Sequence, residues 1–552
     1  MNENSKDSTI LCAPHANNDK NVGTNIGVAN DVLRTSANAQ TNLNTTKVMT
    51  ASAKALGDFA PVAPITDGKE KPRILLITSS FEENLNNPES SDRALVQEKM
   101  DNAHYPIGIS LLHSYVESVG NEINSLFLNS YSYEICFEEV DKALKEFKPH
   151  IVGLQILTQN RVSSYHIIEK IHREYPHMQI VLGGIHATAM HEQLIKKFPY
   201  VIAVIGEGEY TFAELIKKVM TKEDISQVKG ISYSKDGNAI TTPARPLIDD
   251  LDAQPFPKHE LYFNHKREFA CILTSRGCPF RCSFCALESI TRSLNRTRSI
   301  RNVVDEIEYI QKKFPQLRRV WIHDDTFFLN NKRAIEFCDE IARRKIKLEF
   351  VASGRIKPVS AELIKKLEEA NFVKILFGLE SGTDKILLAA RKGITQKDVL
   401  ETFRLLRKSK MEVTAFLIVG LPGETMETVL STAKFVQQLQ KLKYIYYDDI
   451  GILNIYPGTE VCRLAKEAGA LSDDYWLSEK ITPIYTVEHS LEELKHYKKV
   501  LLDHISLRRF FTPDGFKAQY HMIPYIPRYL WERKELILDK LGKKVVKRGT
   551  HL

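Results

Sequence analysis

From Pro72 onward, short apolar runs alternate with stretches in which apolar residues return every three to four positions. The runs at 74–78, 122–128, 151–157, 180–182 and 201–205 read as strands, and 107–119, 164–175 and 210–220 as amphipathic helices. Strands of this kind, separated by helical stretches, predict a doubly wound open parallel sheet with helices on both faces. A second series begins at Cys271, with strands at 270–274, 319–323, 348–352, 374–378, 413–419 and 450–455, each followed by a helical pattern. Six such units predict a partial (β/α)6 barrel. Both architectures take their ligands at the carboxyl ends of the strands.

The pattern also divides the chain. Residues 1–70 are rich in Asn, Thr, Ala and Ser, show no sustained period and are expected to be disordered. They lack a basic start followed by an apolar core, which argues against a secretory signal, and their interspersed acids argue against a transit peptide. The expected order is then a first α/β domain at 71–222, a linker at 223–265, the barrel at 266–470 and a helical C-terminal segment at 471–552. That last segment carries Tyr475, Trp476, Tyr485, Tyr497 and further aromatics. Aromatics at helical spacing usually make core; a lid over the substrate is the sharper alternative.

Composition narrows the class. The 552 residues are 43% hydrophobic and 26% charged, with no apolar run long enough for a transmembrane segment, so a soluble, cytoplasmic protein is expected. The net charge of +7 is modest and gathers late in the chain; with no nucleic-acid module legible, it implies no nucleic-acid partner. Eight cysteines, three of them clustered, do not read as a disulfide framework.

The clustered three, Cys278, Cys282 and Cys285, are spaced C-x3-C-x2-C just after the first barrel strand. Soft thiolates in this number suit an iron-sulfur cluster or zinc. No fourth Cys or His follows in the loop, so zinc would need a ligand from elsewhere, whereas a 4Fe-4S cluster would keep one iron free of protein ligands.

Here the sequence resembles the radical S-adenosylmethionine (SAM) family, in which SAM chelates the open iron. The resemblance implies SAM contacts at Phe284, between the last two cysteines; at Arg355, closing the third strand; at Glu380 and Ser381, where a carboxylate would accept from ribose hydroxyls; and at Gly420 and Pro422, in the next strand-end turn. Asp324 and Asp325 close the second strand and could orient the SAM amine or substrate, with capping as the alternative. The glycine-bearing loops upstream resemble the cobalamin-binding domain of cobalamin-dependent radical SAM enzymes. That resemblance implies cobalamin contacts at Gly108, Thr158, Gly183, Gly184, His186, Gly206, Glu207 and Gly208. Where some cobalamin proteins carry a cobalt-ligating His, this chain reads Ser79-Ser-Phe-Glu-Glu-Asn-Leu-Asn86. Cobalamin without a protein His ligand is therefore expected, with its lower face near residues 157–160 and His186 as the rival ligand.

The resemblance implies three cofactors, a 4Fe-4S cluster, SAM and cobalamin, and an enzyme that transfers a methyl group to an unactivated carbon through a 5'-deoxyadenosyl radical and methylcobalamin. A radical oxidoreductase or cyclase of the anaerobic porphyrin cyclase kind is the alternative. Expected partners are a small molecule, large and apolar or amphiphilic, and a reductant such as flavodoxin or ferredoxin.

Overall fold

Arg73–Thr78 (β1) is buried at every position except Arg73, which suits only the interior of a sheet covered on both faces. The structure, a computed structural model, describes residues 71–84, 87–101, 105–264, 266–357, 359–446 and 450–509. β1 pairs in parallel with Glu122–Phe127 (β2) on one side and Ile151–Gln155 (β3) on the other. Gln179–Gly183 (β4) and Val201–Val204 (β5) continue the parallel order. The order β2-β1-β3-β4-β5 reverses direction at β1, and the crevice at such a reversal is where doubly wound sheets bind ligands.

The stretch expected as linker adds to this sheet. Ile231–Lys235 (β6) pairs antiparallel with β5, and Asn238–Thr241 (β7) with β6. Asp236 and Gly237, with φ of 51° and 78°, make the two-residue turn between them, the left-handed pair such a hairpin requires. A helix not singled out from the sequence, Tyr133–Phe147, starts at Ser132, whose hydroxyl accepts from the Ile135 N–H.

The second sheet is wholly parallel. Its order follows Phe269–Ile272 (β8), Arg319–Ile322 (β11), Glu349–Gly354 (β12), Phe372–Glu380 (β13), Glu412–Val419 (β14) and Ile450–Ile452 (β15), each beside the last. This is the expected six-stranded partial barrel. Ser275–Arg276 (β9) and Arg296–Thr297 (β10) form a small antiparallel pair that brackets the cysteine loop.

The helix Leu491–Arg509 contributes Leu494, Leu501 and Ile505 to the barrel core, while Trp476 and Tyr485 are buried with the core of the first sheet. Up to residue 509 the tail is therefore core rather than lid. The later aromatics and the N-terminal 1–70 lie outside the described residues.

Candidate active site

The cysteine loop is held from both sides. Ser283 N–H donates to the Ala390 carbonyl at 3.0 Å, and the Ser283 carbonyl accepts from Val461 N–H at 3.0 Å. The backbone N–H groups of Phe280 and Leu287 donate to the sulfurs of Cys278 and Cys285, opposing the rise in thiol pKa that burial causes. Among the described residues no three His, Cys, Asp or Glu side chains converge on one metal ion. Three thiolates without a fourth ligand in the loop suit a four-iron cluster that keeps one iron open, whereas structural zinc would need a fourth ligand from elsewhere. The buried Ser283 hydroxyl, between two of these cysteines, has no hydrogen-bond partner.

Gly277 leads into the loop at φ 90°, and a Cβ there would collide with the Leu294 carbonyl. Its N–H donates to Asp325 at 2.9 Å. Asp324 instead turns into the barrel, accepting from Thr274 (N–H 2.6 Å, Oγ1 2.5 Å) and Ser275 (N–H 3.1 Å, Oγ 2.7 Å). The adjacent acids thus divide: Asp324 fixes the strand end, whereas Asp325 borders an open cavity. Burial, with Asp324 alongside, pushes the Asp325 carboxyl up to about 6 against the Gly277 hydrogen bond.

That cavity, of about 310 Å³, separates the carboxyl ends of the first sheet from the strand leading into the cysteines. Gly108, Gly183, Gly184, Gly206, Glu207 and Gly208 line one side; Ser275, Arg276, Gly277 and Asp325 line the other. A Cβ on Gly183 or Gly206 would meet nothing within 4 Å, so the absent side chains leave room for a ligand. Gly206 also needs its φ of 82°, and at Gly184 φ is 95° and a Cβ would stand 2.7 Å from the Ile156 carbonyl oxygen. Leucine and valine side chains floor the cavity.

Two expected cobalamin contacts are not in this wall. His186 is buried; its Nδ1 shares a hydrogen bond with Thr158 Oγ1 (3.1 Å) and its Nε2 one with Tyr165 OH (3.2 Å). Burial pushes this imidazole down to about 3. Both nitrogens are used in packing the fold, and neither His186 nor Thr158 lines the cavity. The loop at 157–160 likewise closes on itself, with Asn160 accepting from Leu157 N–H and donating to the Gln155 carbonyl. A polar side chain that does line the cavity is Gln155, at the end of β3, where it accepts from Thr78 Oγ1 at 3.0 Å. Sequence reasoning missed it, since nothing distinguishes a strand-end Gln from a solvated one.

Beside the cysteine loop, Arg355, Glu380 and Lys392 form a buried charged group. Lys392 Nζ donates to Glu380 Oε1 at 2.7 Å; Arg355 donates to the Lys392 carbonyl and lies 3.5 Å over the Phe280 ring. Lys392 Nζ also stands 5.9 Å from the Phe284 ring. Lys392 was not singled out from the sequence, although a Lys-Gly pair after a short helix is visible there. Ser381 is buried against Thr432 (3.3 Å). Gly420, at φ 91°, gives its N–H to Glu424 at 2.6 Å, and a Cβ on it would press Leu494 at 3.0 Å. Its need for glycine is thus met by turn and helix packing, and neither Gly420 nor Pro422 borders the cavity.

Two family models match the chain in the order of its two sheets: the B12 binding domain over residues 94–216, and the radical SAM superfamily over residues 272–436. This chain is a cobalamin-binding radical SAM protein. It is 29% identical over 398 residues to an uncharacterized methyltransferase of Pyrococcus horikoshii, covering 71% of this chain and 84% of that one. It is 28% identical over 469 residues to the anaerobic magnesium-protoporphyrin IX monomethyl ester cyclase of Rubrivivax gelatinosus, covering 79% and 81%. Its fold is similar to that of the cobalamin-dependent S-adenosylmethionine radical enzyme OxsB, with a TM-score of 0.64 at 17% identity, over 87% of this chain and 76% of that one. For a radical SAM protein of this kind the cofactors are a 4Fe-4S cluster, SAM and cobalamin. The donor set of the cysteine loop and the glycine cradle of the first sheet fit them.

Proposed function

We propose that this protein is a cobalamin-dependent radical SAM C-methyltransferase acting on an unactivated carbon. The observation that carries the two-cofactor reading is the single cavity bordered by the glycine loops of the first sheet and by the strand entering the cysteine loop. The choice of methyl transfer is supported by the Pyrococcus relative, named a methyltransferase and matched along 84% of its length.

Cys278, Cys282 and Cys285 would hold the cluster; Phe284, Arg355, Glu380 and Lys392 would surround SAM; and the glycines at 108, 183, 184, 206 and 208 would admit cobalamin. When bound, the cluster and SAM supply a carbon-centred oxidant and cobalamin supplies a methyl carrier. The protein's own part is positioning and water exclusion. The apolar floor of the cavity keeps water from its reactive centre, and Asp325, raised toward neutrality, can hold or release a proton at its edge. Gln155 presents an amide to the side of the cavity facing the first sheet.

Ring closure without net methyl transfer is the second reading, favoured by the cyclase relative matched along 81% of its length. A large apolar or amphiphilic substrate is proposed on the same ground, since that relative's named substrate is a porphyrin ester. An oxygen-labile cluster calls for a low-potential donor such as flavodoxin or ferredoxin and for a reducing compartment, the cytoplasm. No helix among the described residues is long and apolar enough to cross a membrane. Incubating the reconstituted protein with reductant, methyl-labelled SAM and candidate substrates separates the readings. Deoxyadenosine with S-adenosylhomocysteine and label in the product supports methyl transfer; deoxyadenosine with an unlabelled, cyclised product rejects it.

A further inference from the structure

Glu207, Glu209 and Arg276 line the cavity, and with Arg296 just behind them they form four charges that neutralise one another across the boundary between the two sheets. Glu207 comes from the loop after β5 and Glu209 opens the helix that follows it; Arg276 and Arg296 come from β9 and β10. Arg296 grips Glu207 with both terminal nitrogens, at 2.7 and 2.8 Å. Arg276 reaches Glu209 at 2.8 Å and Glu207 at 3.4 Å. The side chains are 8 to 15% exposed. The segment between the domains is tied into the same group: Ile248 N–H donates to Glu207 at 2.8 Å, and its carbonyl accepts from Arg296 at 2.5 Å.

The placement matters more than the number of bonds. β9 runs through Arg276 and Gly277 directly into Cys278, and the Glu207 loop carries Gly206 and Gly208 of the cradle. The apolar cluster shared by the domains, through Leu421, Leu453, Ile455 and Trp476, lies apart from the cavity, where Leu111 and Leu112 face Leu273 and Ile290. Apolar surfaces tolerate sliding, because the hydrophobic effect has no direction. A guanidinium held at two points by a carboxylate fixes angle as well as distance. Buried ion pairs of this kind add little stability over apolar packing but can specify one arrangement.

We propose that Glu207, Glu209, Arg276 and Arg296 are positioning residues that hold the cobalamin cradle and the cluster loop in one relative geometry. Glu207, expected from the sequence as a cobalamin contact, acts here through the arginines. The inference rests on the proposed function, with cobalamin and the cluster on the two sides of this cavity.

The test is electron paramagnetic resonance of the full chain, reconstituted anaerobically with iron, sulfide and cobalamin and reduced so that cob(II)alamin and the cluster are both paramagnetic. Their spin–spin interaction reports their separation without any substrate. Wild type should give one well-defined interaction. Glu207→Gln and Arg296→Gln should each keep full cluster and cobalamin content yet lose that defined interaction, with the double variant no worse than either single one. An unchanged interaction in Glu207→Gln overturns the proposal, as does loss of cobalamin with the cluster retained, which would make Glu207 a direct contact. Glu209→Gln, which opens only the Arg276 pair, carries the same expectation and covers a Glu207 variant that fails to fold. If wild type itself binds no cobalamin or builds no cluster, the functional reading fails first and the proposal with it.

Discussion

At the scale of single residues, chemistry and packing divide neighbouring side chains of the same type. Cys278, Cys282 and Cys285 sit in a loop held by Ala390 and Val461, so replacing any one by Ala should abolish the cluster and reduce deoxyadenosine formation to background, while cobalamin still binds. Loss of cobalamin in all three variants would contradict the separation of the sites. Lys392 is the buried partner of Glu380 and, through its carbonyl, of Arg355. Lys392→Ala should cost about 3–5 kcal/mol, the penalty for stranding one member of a buried pair, and should raise the KM for SAM; thermal unfolding and SAM titration check both. His186 tests the packing role its two hydrogen bonds give it. Its folded pKa of about 3 lies below the ordinary 6.5, so the unfolded chain binds the extra proton between those values. The stability gained by keeping it neutral is complete above pH 6.5 and is lost as pH falls toward 3. His186→Gln should cost about 1–3 kcal/mol near neutral pH, where Thr158 and Tyr165 lose a partner, and the gap from wild type should shrink on acidification. Denaturant titrations at several pH values measure it. The cysteine spacing made the cluster legible in the sequence. A hydrogen-bonding role for His186 and a capping role for Asp324 were open readings, but the partners of Asp324, His186 and Gly420 were not legible, because Thr274, Tyr165 and Leu494 lie 21 to 74 positions away along the chain.

Among the elements, the strand series was read nearly in full because parallel strands buried on both faces are continuous apolar runs that period alone reveals. The hairpin of β6 and β7 was also legible, as an Asp-Gly turn between two β-rich runs, but a linker expectation covered it. Gly237→Ala should cost about 1–2 kcal/mol, purely from φ of 78°, since a Cβ there meets nothing within 4 Å. The two-residue strands β9 and β10 are too short for any periodic signal. They matter nonetheless, because Gly277 between β9 and Cys278 tolerates no Cβ.

Across the whole molecule, the sequence suggests two domains and a tail, whereas in the structure the apolar cluster of β1, β3 and β4 runs on into Leu421, Leu453, Ile455 and Trp476, beside a separate barrel core. Periodicity within a segment cannot reveal which distant segment shares its core. Trp476→Ala should therefore cost about 3–5 kcal/mol and lower the unfolding temperature of both domains together, visible as a single shifted calorimetric transition. A fixed arrangement of this kind brings the glycine cradle and the strand entering the cysteine loop to the two sides of one cavity. The central claim is that both cofactors reside there in a single chain, cobalamin without an imidazole ligand. It is tested most directly by anaerobic reconstitution followed by metal and cobalamin analysis and EPR of the cob(II)alamin form. The account predicts a four-iron cluster and one cobalamin per chain, with no nitrogen splitting from histidine in the cobalt signal. Zinc in place of iron, absence of cobalamin, or a histidine-ligated cobalt signal would contradict it.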